Sequence, residues 1–111
     1  MKPLFLIGYM GCGKSTLGRK LARRLGIGFV DTDTLVEEQA GASVADVFRY
    51  EGEARFREAE REALERAIAA GGEAVVSTGG GLPTWGDNMQ RMNGVGHTVF
   101  LRRSAAPVSY T

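Results

Sequence analysis

Apolar residues along this chain fall into two patterns: short unbroken runs, and stretches where apolar positions recur every three or four residues. Leu4 to Ile7 is an unbroken run between Pro3 and Gly8, which predicts a first strand buried on both faces, as in a parallel sheet. From Lys14, the residues Leu17, Leu21 and Leu25 recur every four positions with Gly26 behind them. That spacing predicts a helix to about Leu25, packed through those leucines and capped by the glycine. Arg19, Lys20, Arg23 and Arg24 make its polar side, which reads as a solvated face because no aromatic residues interleave with the charges. Gly28 to Asp31 predicts a second strand ending in a carboxylate, and Thr34 to Ala40 is polar enough for a brief exposed helix or loop.

Ser43 with Asp46 resembles a capping box and opens a helix with Val44, Val47 and Phe48 on its apolar face, interrupted at Gly52. A longer helix follows from about Glu53. Phe56, Ala59, Ala63, Leu64, Ala67 and Ile68 share one of its faces, charges lie on the other, and Gly71-Gly72 ends it. Ala74 to Ser77 is the third predicted strand and His97 to Leu101 the fourth, with a helix over Trp85 to Asn93 between them. Strands alternating with helices predict an α/β fold with a parallel sheet, and such sheets place ligands at the carboxyl ends of their strands. Asp31 and the run Gly79-Gly80-Gly81 fall at those ends.

Composition narrows this picture. The chain has 111 residues, 43% hydrophobic and 24% charged, the profile of one globular domain spanning 1–111. Lys and Arg total 14 against 13 Asp and Glu, a net charge of +1, which argues against nucleic acid as a partner. Cys12 is the one cysteine and His97 the one histidine, too few for a zinc site or an internal disulfide. No apolar run suits a signal peptide or approaches the ~20 residues that span a bilayer. A cytoplasmic protein with no membrane partner is the expectation.

Gly8-Tyr9-Met10-Gly11-Cys12-Gly13-Lys14-Ser15 fits G-x-x-x-x-G-K-[ST] between a predicted strand and a predicted helix, the context that gives the motif its meaning. In such a loop, backbone N–H groups wrap phosphates, Lys14 reaches the β- and γ-phosphates, and the Ser15 hydroxyl ligates Mg²⁺. A phosphate-bearing nucleotide with Mg²⁺ is therefore the expected ligand of this loop. Cys12 occupies a variable position of the loop, and no resolving cysteine stands nearby, so it reads as a bystander rather than a reactive thiol. The pair Asp31-Thr32-Asp33 has two readings: helix or turn capping, or one carboxylate on Mg²⁺ water ligands and the other orienting an acceptor hydroxyl. Arg57 and Glu60, three apart on a helix, read from the residues alone as an exposed ion pair; the alternative is a bidentate contact from Arg57 to a substrate carboxylate with Glu60 holding the guanidinium. The three glycines at 79–81 favour close approach of a ligand to backbone over a plain turn. His97 receives no role, and Trp85 reads as a partly buried anchor near the glycine turn.

Together, the phosphate loop Gly8 to Thr16, Asp31-Thr32-Asp33, Phe56-Arg57-x-x-Glu60 and Gly79-Gly80-Gly81, in that order and spacing, resemble the shikimate kinases. The resemblance covers roughly residues 4 to 104. It implies a three-layer P-loop kinase of the nucleoside-monophosphate-kinase type, transferring the ATP γ-phosphoryl group to the 3-hydroxyl of shikimate in aromatic amino acid biosynthesis. It implies Lys14, Asp33 and Arg57 as the catalytic groups, and Gly11, Cys12, Gly13, Lys14, Ser15 and Thr16 as the nucleotide cradle. Ser15 and, through water, Asp31 would position Mg²⁺. Shikimate would meet Asp33, Phe48, Phe56, Arg57, Glu60 and the backbone of Gly79, Gly80 and Gly81. After Leu101 the family pattern continues with an arginine-bearing lid, a further strand and helices that this sequence lacks, so Arg102 and Arg103 inherit no lid role. Without that strand and its covering helix, the sheet is expected to keep an unpaired edge and the chain to self-associate or be a marginal monomer. Two other readings stay open: a nucleotide- or shikimate-binding fragment without turnover, and a related kinase acting on a gluconate-type sugar acid, since Arg57 would read any carboxylate.

Overall fold

In a computed structural model of the protein, residues 2–8, 14–70, 73–79 and 81–101 are described. The predicted nucleotide-binding residues Gly11, Cys12 and Gly13, the predicted acceptor-site residue Gly80, and the predicted helix stop Gly71-Gly72 lie outside them. Four strands, β1 (Leu4–Gly8), β2 (Gly28–Asp31), β3 (Ala74–Ser77) and β4 (His97–Leu101), form one sheet in the order β2-β3-β1-β4, and every pairing is parallel. Helices α1 (Lys14–Leu25), α2 (Thr32–Ala40), α3 (Val44–Ala69) and α4 (Asn88–Val95) connect them, with a 3₁₀ turn at Leu82–Thr84.

The unbroken apolar run of β1 is explained by burial on both sides of the sheet. Phe5 and Ile7 join Leu64, Ala67, Val76, Leu82 and Met92 in one core cluster, while Leu6 turns to the other face with Ala22 and Val75. This is the two-residue alternation of a strand with a layer over each face. A third cluster, Val36, Val47 and Ala63, joins α2 to α3. Register does the work that matters for function: Ser77 of β3 is level with Leu6 of β1 on one side and with Asp31 of β2 on the other. The carboxyl ends of three strands therefore open side by side.

Three expectations need correction. Leu17 and Leu25 are not the packing face of α1; they are 45% and 48% exposed. The helix instead buries Lys14, Gly18 and Ala22, with Leu21 half-buried. A Cβ at residue 18 would stand 2.6 Å from the Phe29 ring and 3.1 Å from Leu6, so the helix sits too close to the sheet for a larger residue on its contact row, and the leucines flank that row. The segment after Asp31 is helical from Thr32, because Asp31 caps it. The helix placed over Trp85 to Asn93 is replaced by the 3₁₀ turn and a helix from Asn88. Trp85 is extended and Gly86 left-handed at φ 56°, so no helix can begin before Asp87.

The expected cap at Ser43 and break at Gly52 agree with the fold. Ser43 Oγ accepts from the Asp46 N–H at 3.1 Å, and Gly52 at φ 86°, ψ 169° breaks α3 into two helical pieces. That conformation is open to glycine and strained for other residues. Among the described residues β4 pairs on one side only, and Val99 and Phe100 are 40% and 53% exposed on it. No helix among the described residues is long and apolar enough to cross a membrane.

The corrected face of α1 is testable by urea unfolding. Gly18→Val is expected to destabilise the fold by ~2 kcal/mol through overpacking against Phe29 and Leu6, and Leu17→Ala by less than ~1 kcal/mol. The reverse ranking would restore the leucine face.

Candidate functional site

Lys14 is the first residue of α1 and is buried; its Nζ donates to the Gly8 carbonyl at the end of β1 at 2.9 Å. The next residue ties α1 to β2, since Ser15 Oγ donates to Asp31 Oδ2 at 2.6 Å. The other oxygen of that carboxylate, Oδ1, accepts from the Asp33 N–H at 2.9 Å and caps α2. Asp31 thus bears out the capping reading with one oxygen and holds the Ser15 hydroxyl with the other. Its neighbour Thr32, fully buried, accepts from the Gly79 N–H through Oγ1 at 3.1 Å, and this bond seats the glycine turn against α2.

At Gly79 two carboxylates converge. A Cβ there would stand 2.7 Å from Asp33 Oδ1 and 2.9 Å from Glu60 Oε2. A Cβ at Gly81 would meet the Arg57 guanidinium at 2.5 Å from Nη1 and 2.8 Å from Nη2. Arg57 Nη1 in turn donates to Glu60 Oε1 at 2.7 Å. Glu60 is 2% exposed and the Arg57 side chain 18%, so this is no surface pair, and the exposed reading of the Arg57–Glu60 spacing is corrected. The helix carrying the pair is pressed against the end of the sheet, which glycine at 79 and 81 makes sterically possible. The Phe48 and Phe56 rings meet edge to face at 5.6 Å between centroids, and Arg57 lies 5.4 Å over the Phe56 ring. Phe48 remains 45% exposed.

The shikimate kinase family model matches residues 10–109. The chain belongs to the shikimate kinase family. A shikimate kinase of Bacteroides fragilis is 50% identical over 101 residues, which are 91% of this chain and 56% of that protein. One from Azobacteroides pseudotrichonymphae is 43% identical over 102 residues, 92% of this chain and 60% of its own length. Among solved structures, the shikimate kinase from Bacteroides thetaiotaomicron superposes with a TM-score of 0.85 at 46% identity, covering 89% of this chain and 58% of that one. The shikimate kinase from Acinetobacter baumannii in complex with shikimate gives 0.85 at 37% identity, covering 91% and 56%. This chain therefore spans a little under two thirds of its relatives' length. Its fold is the α/β fold of the P-loop kinases.

Within this shikimate kinase fold, Asp33, Arg57, Glu60, Gly79 and Gly81 come together at one end of the sheet, and Lys14, Ser15 and Asp31 form the adjoining group. Thr16 lies exposed on the first turn of α1. Ser15 and Asp31 offer hard oxygens, and no cluster of three or more acidic, histidine or cysteine residues able to hold a metal occurs among the described residues. That donor set fits Mg²⁺, which takes one or two protein oxygens and completes its shell with water and phosphate. Sequence reasoning missed Thr32. Its only signal was its place between two aspartates at a strand-to-helix junction.

Burial pushes the Asp33 carboxyl up from its ordinary value, the charges of Asp31 and Glu37 add to this, and Lys14 opposes it. Glu60 is also raised, because burial outweighs the hydrogen bond and charge of Arg57, with Asp33 adding to the effect. For a raised carboxyl the folded state holds its proton more tightly than the unfolded chain, so stability falls as pH rises from the ordinary value through the raised one. Asp33→Asn is accordingly expected to raise the melting temperature at pH 7, with the gain vanishing below pH 3.8. Thermal melts across that range check this; a gain that persists at low pH, or a loss at pH 7, contradicts it.

Proposed function

We propose that this chain carries a shikimate-phosphorylating site, using ATP with Mg²⁺ to form shikimate 3-phosphate in aromatic amino acid biosynthesis. The observation that carries the reading is the glycine turn, with the half-buried Asp33 carboxylate against Gly79 and the Arg57 guanidinium against Gly81. A small acid with a hydroxyl at one end and a carboxylate at the other matches that arrangement, and family membership supports shikimate as the acid.

Arg57 binds the substrate carboxylate, held in orientation by Glu60. Asp33 accepts a hydrogen bond from the 3-hydroxyl and takes its proton as the oxygen attacks the γ-phosphorus, a role that its raised affinity for protons favours. A new P–O bond forms to shikimate, and the bond from the γ-phosphorus to the bridging oxygen of ADP breaks. Lys14 offsets charge on the β- and γ-phosphates, assisted by backbone N–H groups of the loop at Gly11, Cys12 and Gly13 and the first turn of α1 through Thr16. Ser15 and, through water, Asp31 would hold Mg²⁺, which would supply charge neutralisation on the phosphates. Gly79, Gly80 and Gly81 admit the ring close to backbone, and Phe48 and Phe56 wall it.

The first test incubates the purified chain with Mg-ATP and shikimate and detects shikimate 3-phosphate by mass spectrometry. Product from the native chain and none from Lys14→Met is expected. Retained shikimate binding without product would make the chain a binding module rather than an enzyme, and preference for gluconate in competition would reassign the acceptor. In titration calorimetry, Arg57→Ala is expected to weaken shikimate binding ~10- to 100-fold, the loss of charge-assisted hydrogen bonds, while leaving Mg-ATP binding unchanged.

A further inference from the structure

Helix α3 touches the glycine turn twice. Arg57 meets it at Gly81, and one helical turn later, on the same face, Arg61 reaches the segment that follows. Arg61 Nη1 donates to Asn88 Oδ1 at 2.9 Å and pairs with Asp87, while Nε donates to Glu65 Oε2 at 3.0 Å. Asn88 is fully buried, and its Nδ2 donates to the Leu82 carbonyl at 2.9 Å. Leu82, also fully buried, directly follows Gly81, and its N–H donates to the Gly79 carbonyl at 3.2 Å. A continuous set of hydrogen bonds thus runs from the Arg61 guanidinium through a buried amide to the backbone beside Gly81. The Asn88 amide is satisfied in a single orientation, acceptor toward Arg61 and donors toward Leu82.

Arg61 is 30% exposed and its ionic partners Glu65 and Asp87 are 38% and 62% exposed, so these pairs contribute little to global stability. Geometry is what the link supplies. Because Arg57 and Arg61 ride on one rigid helix, the distance between the guanidinium at Gly81 and the backbone beyond it is set at both ends by α3.

We propose that Arg61 is a positioning residue that, through Asn88, holds the Gly81–Leu82 backbone against Arg57 and so sets the spacing of the acceptor pocket. This rests on the acceptor site proposed above. Charge-assisted hydrogen bonds weaken steeply as their geometry departs from alignment, so a small displacement of this backbone against Arg57 gives the effect expected here.

The test compares Arg61→Ala, Arg61→Lys and Arg91→Ala with the native chain. Arg91 donates to both Glu65 oxygens, at 2.9 and 3.0 Å, whereas Asn88 Oδ1 accepts from Arg61, so removing Arg91 dissects the outer ion pair from the link to the turn. Shikimate and Mg-ATP affinities are read by calorimetry. The emission of Trp85, whose backbone N–H donates to the Leu82 carbonyl at 3.3 Å, reports the turn itself. Arg61→Ala is expected to weaken shikimate binding ~10-fold, to keep Mg-ATP affinity, and to shift Trp85 emission in the ligand-free protein. Arg61→Lys, still able to donate to Asn88, recovers part of the affinity, and Arg91→Ala matches the native chain. Unchanged shikimate affinity in Arg61→Ala, an equal loss for both ligands, or an equal effect of Arg91→Ala would each overturn the proposal. If the native chain fails to bind shikimate, the acceptor reading falls, and an unshifted Trp85 emission in Arg61→Ala separately overturns the role of Arg61 in holding the turn.

Discussion

Glu60 sits at 2% exposure with one oxygen on Arg57 and the other beside Gly79, and the geometry of the site follows from keeping that carboxylate there. Taking a charge out of water is costly unless a partner of good geometry compensates it. Here one guanidinium nitrogen supplies the compensation at 2.7 Å, and burial still raises the proton affinity of Glu60. The arrangement holds only if the α3 backbone approaches the ends of β1 and β3 closely. That approach requires bare Cα atoms at residues 79 and 81, because a side chain at either would strike Asp33, Glu60 or Arg57. The glycine turn is thus a steric condition for the charged pair.

The same logic extends to Asp33. Its carboxylate shares the Gly79 position with Glu60 and lies in the field of Asp31 and Glu37. Four acidic groups, Asp31, Asp33, Glu37 and Glu60, gather here; Lys14 opposes the rise at Asp33 and Arg57 the rise at Glu60. Charge arranged in this way lowers stability and suits a site that receives a hydroxyl at one end and an anion at the other. Register provides the frame: with Leu6, Ser77 and Asp31 level, the residues just past β2 and β3 meet, as in the Thr32–Gly79 bond, without any long loop having to fold inward.

Much of this was legible in the chain. The four strands, the α/β order, the phosphate-loop motif and the role of Gly52 follow from apolar runs and punctuation, which act locally. The failures share a different cause. Leu17, Leu21 and Leu25 form an apolar repeat, yet the row that touches the sheet is Lys14, Gly18 and Ala22, because closeness of approach selects small residues and no periodicity count weighs that. Trp85 to Asn93 carried helical residues, but the left-handed Gly86 is a backbone state that composition does not announce. Thr32 was passed over because the importance of its hydroxyl depends on Gly79, a residue 47 positions away.

The Arg57–Glu60 pair shows where local reasoning stops. Arg57, Glu60, Arg61 and Leu64 occupy one helical face at spacings of three and four, the same spacing that marks an exposed ion-pair ladder or an apolar stripe. The first two are turned toward the sheet end, the third reaches Asn88, and the fourth is fully buried in the core with Phe5 and Val76. A single face therefore passes from site to clamp to core within two turns. Helical period alone cannot divide it, since the period states which residues are neighbours and not what they face. What divides it is the sheet: where β3 ends and the chain runs on through Gly79, the helix face meets open backbone and carries charge, and where β1 and β3 continue beneath it, the face meets side chains and is apolar. The position of the strand ends along α3 thus decides which of its residues are available for chemistry.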